Sequence, residues 1–317
     1  MVAITLQQLR VFVAVAEHRS FTRGAQAVYM TQSAASQHVR ALEHALGTLL
    51  LERSGGELRP TKAGEGLLQY ARDILRTAEE AERYVAAVRD GGAGRLALAA
   101  AGSAVYLIPP LVAAFRATHP QVEVTLQVLG TGALLDAVAS GEVDAGLVAG
   151  PTLGSRLEAS PLCLDRIVAV TGPGSPLLAA AALAPLSLEQ VLAQPIVGPT
   201  TATGSWRLVE REAAARGLLL RARLRLDGID AIKKAVEAGL GIAFLSAWAV
   251  ERELAMGTLR LLPLELPPLI RRFELVRRAG AHVDGVLASF ATFAPAQLAR
   301  QLPPPVAECA VAQEQVA

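Results

Sequence analysis

Residues 20–47 read SFTRGAQAVYMTQSAASQHVRALEHALG. Ser20 and Thr22 can cap a helix running to about Val28, and Thr31 can cap another through Ala34, Ala35, Val39 and Leu42. Two short helices with a tight connection, the second rich in small polar residues, form the helix-turn-helix pattern. Gln32, Ser33, Ser36, Gln37 and Arg40 share one face of the second helix, away from Ala35, Val39 and Leu42. Gln and Arg make paired hydrogen bonds to adenine and guanine edges in the major groove. A polar helix face alone is more often simply solvated, so the reading depends on its neighbours.

Those neighbours fit. Upstream, Leu6, Leu9, Phe12, Val13 and Ala16 recur at helical spacing. Downstream, the apolar run Leu49–Leu51, the turn Ser54-Gly55-Gly56-Glu57 and then Leu58-Arg59-Pro60 predict a small hairpin. Arg10, Arg19, Arg23, Arg40, Arg53, Arg59 and Lys62 outnumber Glu17, Glu43, Glu52 and Glu57, which makes residues 1–62 more basic than a chain whose net charge is only +1. A nucleic-acid surface is therefore local. Arg53, Arg59 and Lys62 flank the hairpin, where a wing meets phosphate, and Arg23 lies on the preceding helix.

Thr61 caps a long helix. Leu67, Ala71, Ile74, Ala78, Ala81, Val85 and Val88 step by three and four, a heptad seam with charged residues beside it. A helix from Thr61 to Arg89 measures about 43 Å at 1.5 Å per residue. So narrow a seam on so long a helix predicts a homodimer, although a core helix of one globular domain fits the same spacing. Asp90-Gly91-Gly92-Ala93-Gly94 ends the helix as a hinge.

Beyond it, runs at Arg95–Ala101, Val122–Leu129, Ala145–Val148, Ile167–Thr171, Ile196–Val197, Leu219–Leu226 and Ile242–Leu245 alternate with helical stretches, an α/β pattern. The tail at 303–317 opens on prolines and reads as mobile. With 52% hydrophobic and 19% charged residues over 317 positions, the chain can bury two or three cores. No signal peptide or membrane span is expected, which predicts a cytoplasmic protein. Cys163 and Cys309 stand far apart and in no metal-ligand spacing, so two free thiols and no metal are expected.

At this point a resemblance becomes specific. Leu9-Arg10-Val11-Phe12, Ser20-Phe21-Thr22-Arg23-Gly24-Ala25, Thr31-Gln32-Ser33-Ala34-Ala35-Ser36, Leu42-Glu43, Leu46-Gly47, Leu51-Glu52-Arg53 and Thr61-Lys62-Ala63-Gly64 together resemble the head of LysR-type transcriptional regulators. Three positions depart: Gly24 for the usual Ala, which weakens the second helix slightly, Ser33 for a frequent Pro, and Pro60 for a common Leu. The likeness continues through Leu107–Leu111, His119–Val122, Gly141–Leu147 and Ala231–Leu245 to Leu302. It implies a winged helix-turn-helix over 1–60 and a dimerising linker helix and hinge over 61–94. It also implies an effector domain over 95–302 that resembles periplasmic solute-binding proteins, with lobe I at 95–165 and 265–302 and lobe II at 166–264. The overall class is α+β and multi-domain. The implied partners are duplex DNA bearing an interrupted inverted repeat, a second copy in a dimer or homotetramer, a small metabolite and RNA polymerase. The sensing domain is reminiscent of members governing carbon fixation or cysteine synthesis.

The residues agree on where a ligand sits. Gly102-Ser103, Gly130-Thr131-Gly132, Thr200–Gly204 and Gly228-Ile229 each lead from a strand towards a helix and are rich in Gly, Ser and Thr. Ligands of open α/β sheets lie beyond the carboxyl ends of strands, and helix N-termini favour anions. Ser103, Thr131, Thr201, Thr203 and Ile229 are therefore effector candidates, and the turns offer no carboxylate of their own. Gly130-Thr131-Gly132 is not a dinucleotide fingerprint, because Leu135 stands at its third glycine. No nucleophile elbow, phosphate loop or zinc-type His pair speaks for an enzyme or a cofactor. Two alternatives stay open: a solute-binding receptor, which would need an export signal and no residues 1–89, and a thiol-based redox sensor of the same family, which would need a partner for Cys163.

Overall fold

The computed structural model describes residues 4–54, 57–89, 94–150, 153–280 and 285–301. Its contacts divide the chain into two compact units, 1–90 and 91–317.

The first unit comprises α1 (Leu6–His18), α2 (Phe21–Ala27), α3 (Gln32–Leu46), β1 (Leu51–Ser54), β2 (Glu57–Pro60) and α4 (Lys62–Arg89). Each helix starts at a capping hydroxyl. Thr5 and Gln8 form a reciprocal capping box on α1. Ser20 caps α2, Thr31 caps α3, and Thr61 accepts from the Gly64 N–H at the start of α4. Thr22 falls inside α2 instead of capping it. Leu9, Phe12, Val15, Ala35, Val39 and Leu42 close the core. Glu43 accepts from the backbone N–H groups of Leu50 (2.8 Å) and Leu51 (3.2 Å), fixing the hairpin on the end of α3.

Two glycines allow this packing. A Cβ on Gly24 would lie 2.6 Å from Val15 Cα, and one on Gly64 would lie 2.0 Å from the Leu50 carbonyl oxygen. The sequence reading treats Gly24 as a mild weakness of α2. The structure corrects this, because α2 crosses α1 too closely for any larger residue.

The linker seam is also corrected. Ala71 is fully buried, and Leu67, Leu68 and Leu75 pack on the head's own core. Among the described residues, Tyr70, Ile74, Ala81 and Val85 form an exposed apolar stripe along α4, displaced from the first turns of the expected one. The Val88 side chain lies outside the described residues, as do Gly91 and Gly92 of the expected hinge. Gly94 is described and is not free: its carbonyl accepts from the Glu123 N–H (2.9 Å), and a Cβ there would meet the Val286 side chain.

The second unit runs β3 (Arg95–Ala100), a 3₁₀ turn (Gly102–Tyr106), α5 (Ile108–Thr118), β4 (Glu123–Val128), α6 (Thr131–Ser140), β5 (Ala145–Ala149) and β6 (Leu157–Thr171). It continues through α7 (Leu177–Ala181), α8 (Leu188–Leu192), β7 (Val197–Pro199), α9 (Gly204–Ala214), β8 (Leu224–Leu226), α10 (Ile229–Glu237) and β9 (Ile242–Ser246). It closes with α11 (Ala247–Met256), β10 (Arg260–Leu262), β11 (Leu269–Arg278) and α12 (Val286–Ala299). One sheet has the order β10-β6-β11-β5-β3-β4, with β9 also on β6. Strands β3, β4 and β5 are parallel, while β11 runs antiparallel between β5 and β6.

Two lobes grow from this sheet. Leu96, Leu98, Ile108, Phe115, Phe273 and Phe290 are among the core of one; Ile167, Val191, Val209, Ile242 and Phe244 are among the core of the other. The lobes are joined by β6 and β11, paired from Leu157↔Arg278 to Ile167↔Leu269. Sequence patterning finds only the last third of β6 and misses β10 and β11. The expected strand Leu219–Leu226 shrinks to Leu224–Leu226.

Candidate functional site

In the first unit, α3 turns Ala35, Val39 and Leu42 into the core and leaves Gln32, Ser33, Gln37 and Arg40 exposed, with Ser36 half-buried. Thr31 is occupied as the cap, accepting from the Ala34 N–H (3.3 Å) and lying 3.1 Å from the Ser33 hydroxyl. Arg23 stands exposed on α2. At the hairpin, Arg53 and Lys62 are exposed, whereas Arg59 is engaged with Glu57 at 2.8 Å. The Arg59 guanidinium beside it holds the Glu57 carboxyl below its usual range. Tyr29, in the turn before α3, is almost wholly in solvent at φ 55°, a backbone conformation uncommon for a bulky residue. No motif singled it out.

In the second unit, the four strand-to-helix turns converge on a cleft of about 640 Å³. Ser103, Thr131, Thr201, Thr203 and Ile229 all line it. Their circumstances differ. Thr131 and Thr201 are exposed to the cleft, while Ser103 is buried with its hydroxyl turned to Arg271. Thr203 caps α9 by accepting from the Trp206 N–H (3.3 Å). Ile229 is half-buried, packing on the second lobe's core and lining the cleft at the start of α10. Neither α6 nor α10 has a side-chain cap, because both begin after glycines. Their leading N–H groups therefore remain for a ligand or for water.

The expectation that these turns carry no carboxylate needs correction, because Asp230 lies on the rim. It is committed, however. It accepts from the Tyr106 hydroxyl (2.8 Å) across the two lobes and pairs with Lys233 (3.0 Å). Hydrogen bonds from Lys233 and Tyr106 hold Asp230 below the usual carboxylate range. Burial, reinforced by Asp230, pushes Tyr106 up to about 12. Lys233 also meets Glu253 at 2.9 Å and sits 4.7 Å from the centre of the Tyr106 ring.

Sequence reasoning missed the floor of the cleft. Arg271 of β11 donates from Nε to Asp165 (2.7 Å) and from Nη2 to Ser103 (2.6 Å), and Ser246 donates to the other Asp165 oxygen (2.6 Å). Asp165 is fully buried; burial raises its pKa and Arg271 opposes that rise. Only the partnership explains the arrangement, and the partners are far apart in the chain.

Cys163 sits beside this network. Burial, with the Asp165 charge, pushes its thiol from 9.0 to about 12. A rise of that size leaves about one thousandth of the usual thiolate, and the thiolate is the reactive form. The more basic thiolate is also the better nucleophile, so in a Cys309→Ser variant iodoacetamide should alkylate the native protein at least about tenfold more slowly than an exposed peptide thiol. A peptide-like rate would show that Cys163 is open to solvent. Cys309 lies outside the described residues.

Comparison with known proteins agrees with both units. Residues 6–65 match the model "Bacterial regulatory helix-turn-helix protein, lysR family", and residues 89–299 match the "LysR substrate binding domain". The RuBisCO operon transcriptional regulator of Allochromatium vinosum is 31% identical over 297 residues, covering 94% of this chain and 97% of the relative. A full-length OxyR variant from Pseudomonas aeruginosa superposes with a TM-score of 0.64 at 23% identity, over 97% of this chain and 94% of that one. The regulatory domain of CcmR from Synechocystis PCC6803, in complex with 2-PG, does so with a TM-score of 0.58 at 25% identity, over 64% of this chain and 96% of that one. Among the described residues, no helix is long and apolar enough to cross a membrane and no acidic, His or Cys cluster could hold a metal. With its winged head, its two-lobed second unit and these matches, the chain belongs to the LysR family of DNA-binding transcriptional regulators modulated by small-molecule effectors.

Proposed function

We propose that this regulator is switched by a small anionic metabolite held between the lobes of its second unit. The carrying observation is the convergence of the uncapped N-termini of α6 and α10 with the hydroxyls of Thr131 and Thr201 on one cleft. Aligned peptide dipoles make such termini anion sites. The apolar part of the lining, including Val128, Leu129 and Phe244, suits a short carbon skeleton. The CcmR domain was solved with 2-PG, which makes 2-PG the first compound to test.

The rest of the reading follows from the chain's parts. The exposed face of α3 reads bases, while Arg23, Arg53 and Lys62 hold phosphate and Arg59 joins them once it leaves Glu57. The stripe Tyr70, Ile74, Ala81 and Val85 pairs two copies, so the operator is an interrupted inverted repeat. Tetramer formation and contact with RNA polymerase extend the same reading. The protein acts in the cytoplasm and catalyses no reaction. Tyr106–Asp230 is a contact that a ligand-driven movement of the lobes would strengthen or break.

A thermal-shift screen that begins with 2-PG identifies the effector, since a ligand bound only by the folded state raises its melting temperature. Operator binding is then measured with and without it. Coupling of about 5–150-fold is expected in the wild type. Thr131→Val, which keeps the shape and removes the donor, should fold and bind operator normally yet respond several-fold less, about the effect of one hydrogen bond. Full responses in Thr131→Val, Ser103→Ala and Thr201→Val alike would discard the cleft.

A further inference from the structure

We infer that Arg271 is the charge-reading residue of this cleft, offering its Nη1 to an oxyanion, phosphate or carboxylate, held against the N-terminus of α9. The inference rests on the cleft being the effector site and specifies what the effector must carry.

The guanidinium cannot swing away. Nε is fixed on Asp165 and Nη2 on Ser103, and the Arg271 side chain is only 14% exposed. Among the described residues, Nη1 has no hydrogen-bond acceptor, and Arg271 lines the cleft. A planar fork held by its other nitrogens is preorganised for one more oxygen, and more N–H bonds than the two already used remain to be made.

The surroundings favour an added anion. Gly204 opens α9, an eleven-residue helix, and a Cβ on Gly204 would lie 3.1 Å from Nη1. The cation thus stands at the positive end of a helix dipole, where like charges repel. A negative group between them reverses the sign of both interactions. Gly204 is what lets the guanidinium and the helix end approach this closely.

Asp165 sets how strongly an anion is held. It is directly opposite Arg271 on the neighbouring strand, where β6 and β11 pass between the lobes. Its charge cancels most of what the guanidinium presents, so the wild-type site binds reversibly. Ser103 comes from the first lobe and Ser246 from the second, and both bond to this pair. Ligand charge is therefore felt where the lobes join.

The probe is inorganic phosphate, titrated calorimetrically into the full chain. Wild type should bind it, and Asp165→Asn, which leaves Arg271 uncompensated, should bind at least about tenfold tighter, the lower end for a charged hydrogen bond. The double variant Arg271→Met, Asp165→Asn leaves no lone buried charge and should bind at least about tenfold more weakly than wild type. Absence of phosphate binding by wild type, a double variant that titrates like wild type, or an Asp165→Asn protein that binds no tighter would each overturn the assignment. If the double variant titrates like wild type while Thr131→Val still loses its effector response, Arg271 fails and the cleft stands. If the double variant titrates like wild type and Thr131→Val, Ser103→Ala and Thr201→Val all respond fully, both fall.

Discussion

Ile74→Glu should dissociate the linker helices and reduce operator affinity by about a hundredfold or more. Two heads joined in one dimer gain about 10²–10⁴ in avidity over one head, and that gain vanishes when the join is lost. Ile74 is 46% exposed on α4, in line with Tyr70 and Val85, which are 70% and 65% exposed. Side chains of this size, spaced along one helix face, are what a partner helix covers. The substitution leaves the head's core intact, because that core uses Leu67, Ala71 and Leu75 from the same helix. Sedimentation of a fragment spanning 1–90, which contains a complete core, isolates the effect. A fragment of Ile74→Glu that remains dimeric would show that the copies join elsewhere.

Arg40→Ala and Gln32→Ala should each weaken binding to the operator relative to random duplex by about 1–3 kcal/mol if they make bidentate base contacts. Arg53→Ala should weaken both complexes equally and reduce the salt dependence by about one counterion. The contrast matters because α3 and the hairpin meet different chemistry. Gln32 and Arg40 are exposed on α3, whereas Arg53 lies across from Leu58 at the edge of a two-stranded ribbon. Competition binding at several salt concentrations separates them. Unchanged discrimination in both α3 variants would place the reading face elsewhere.

The head was legible because its information is local. Ser20, Thr31 and Thr61 announce their helices within four residues, and the apolar spacing of α1 and α3 repeats every turn. The linker seam was half legible. Heptad spacing marks apolar positions but does not say whether a given one faces its own head or a partner, and the first turns of α4 serve the head. The cleft's hydroxyls were found from turn composition. Arg271 was not, because Leu269–Arg278 reads LIRRFELVRR, without strict alternation. A strand passing between two lobes, with an irregular register between Phe273 and Glu274, meets different neighbours along its length. Its charge partner, Asp165, is 106 residues away. Close approaches such as Gly24 against Val15 are equally invisible, since they depend on how helices cross.

The position of β11 in the sheet also bears on how the protein is made. Strand β5 is complete at Ala149, yet its neighbour begins at Leu269, and Phe273 and Phe290 fill the first lobe's core. On the ribosome the head has all of its sequence after 90 residues, while the earlier lobe waits for nearly the whole chain. Until then β5 offers an unpaired edge, and joining it to β11 closes a long loop, a slow step in folding. Nascent chains stalled before residue 269 should thus hold a finished DNA reader beside an unfinished sensor, and that interval is when a chaperone has most to protect.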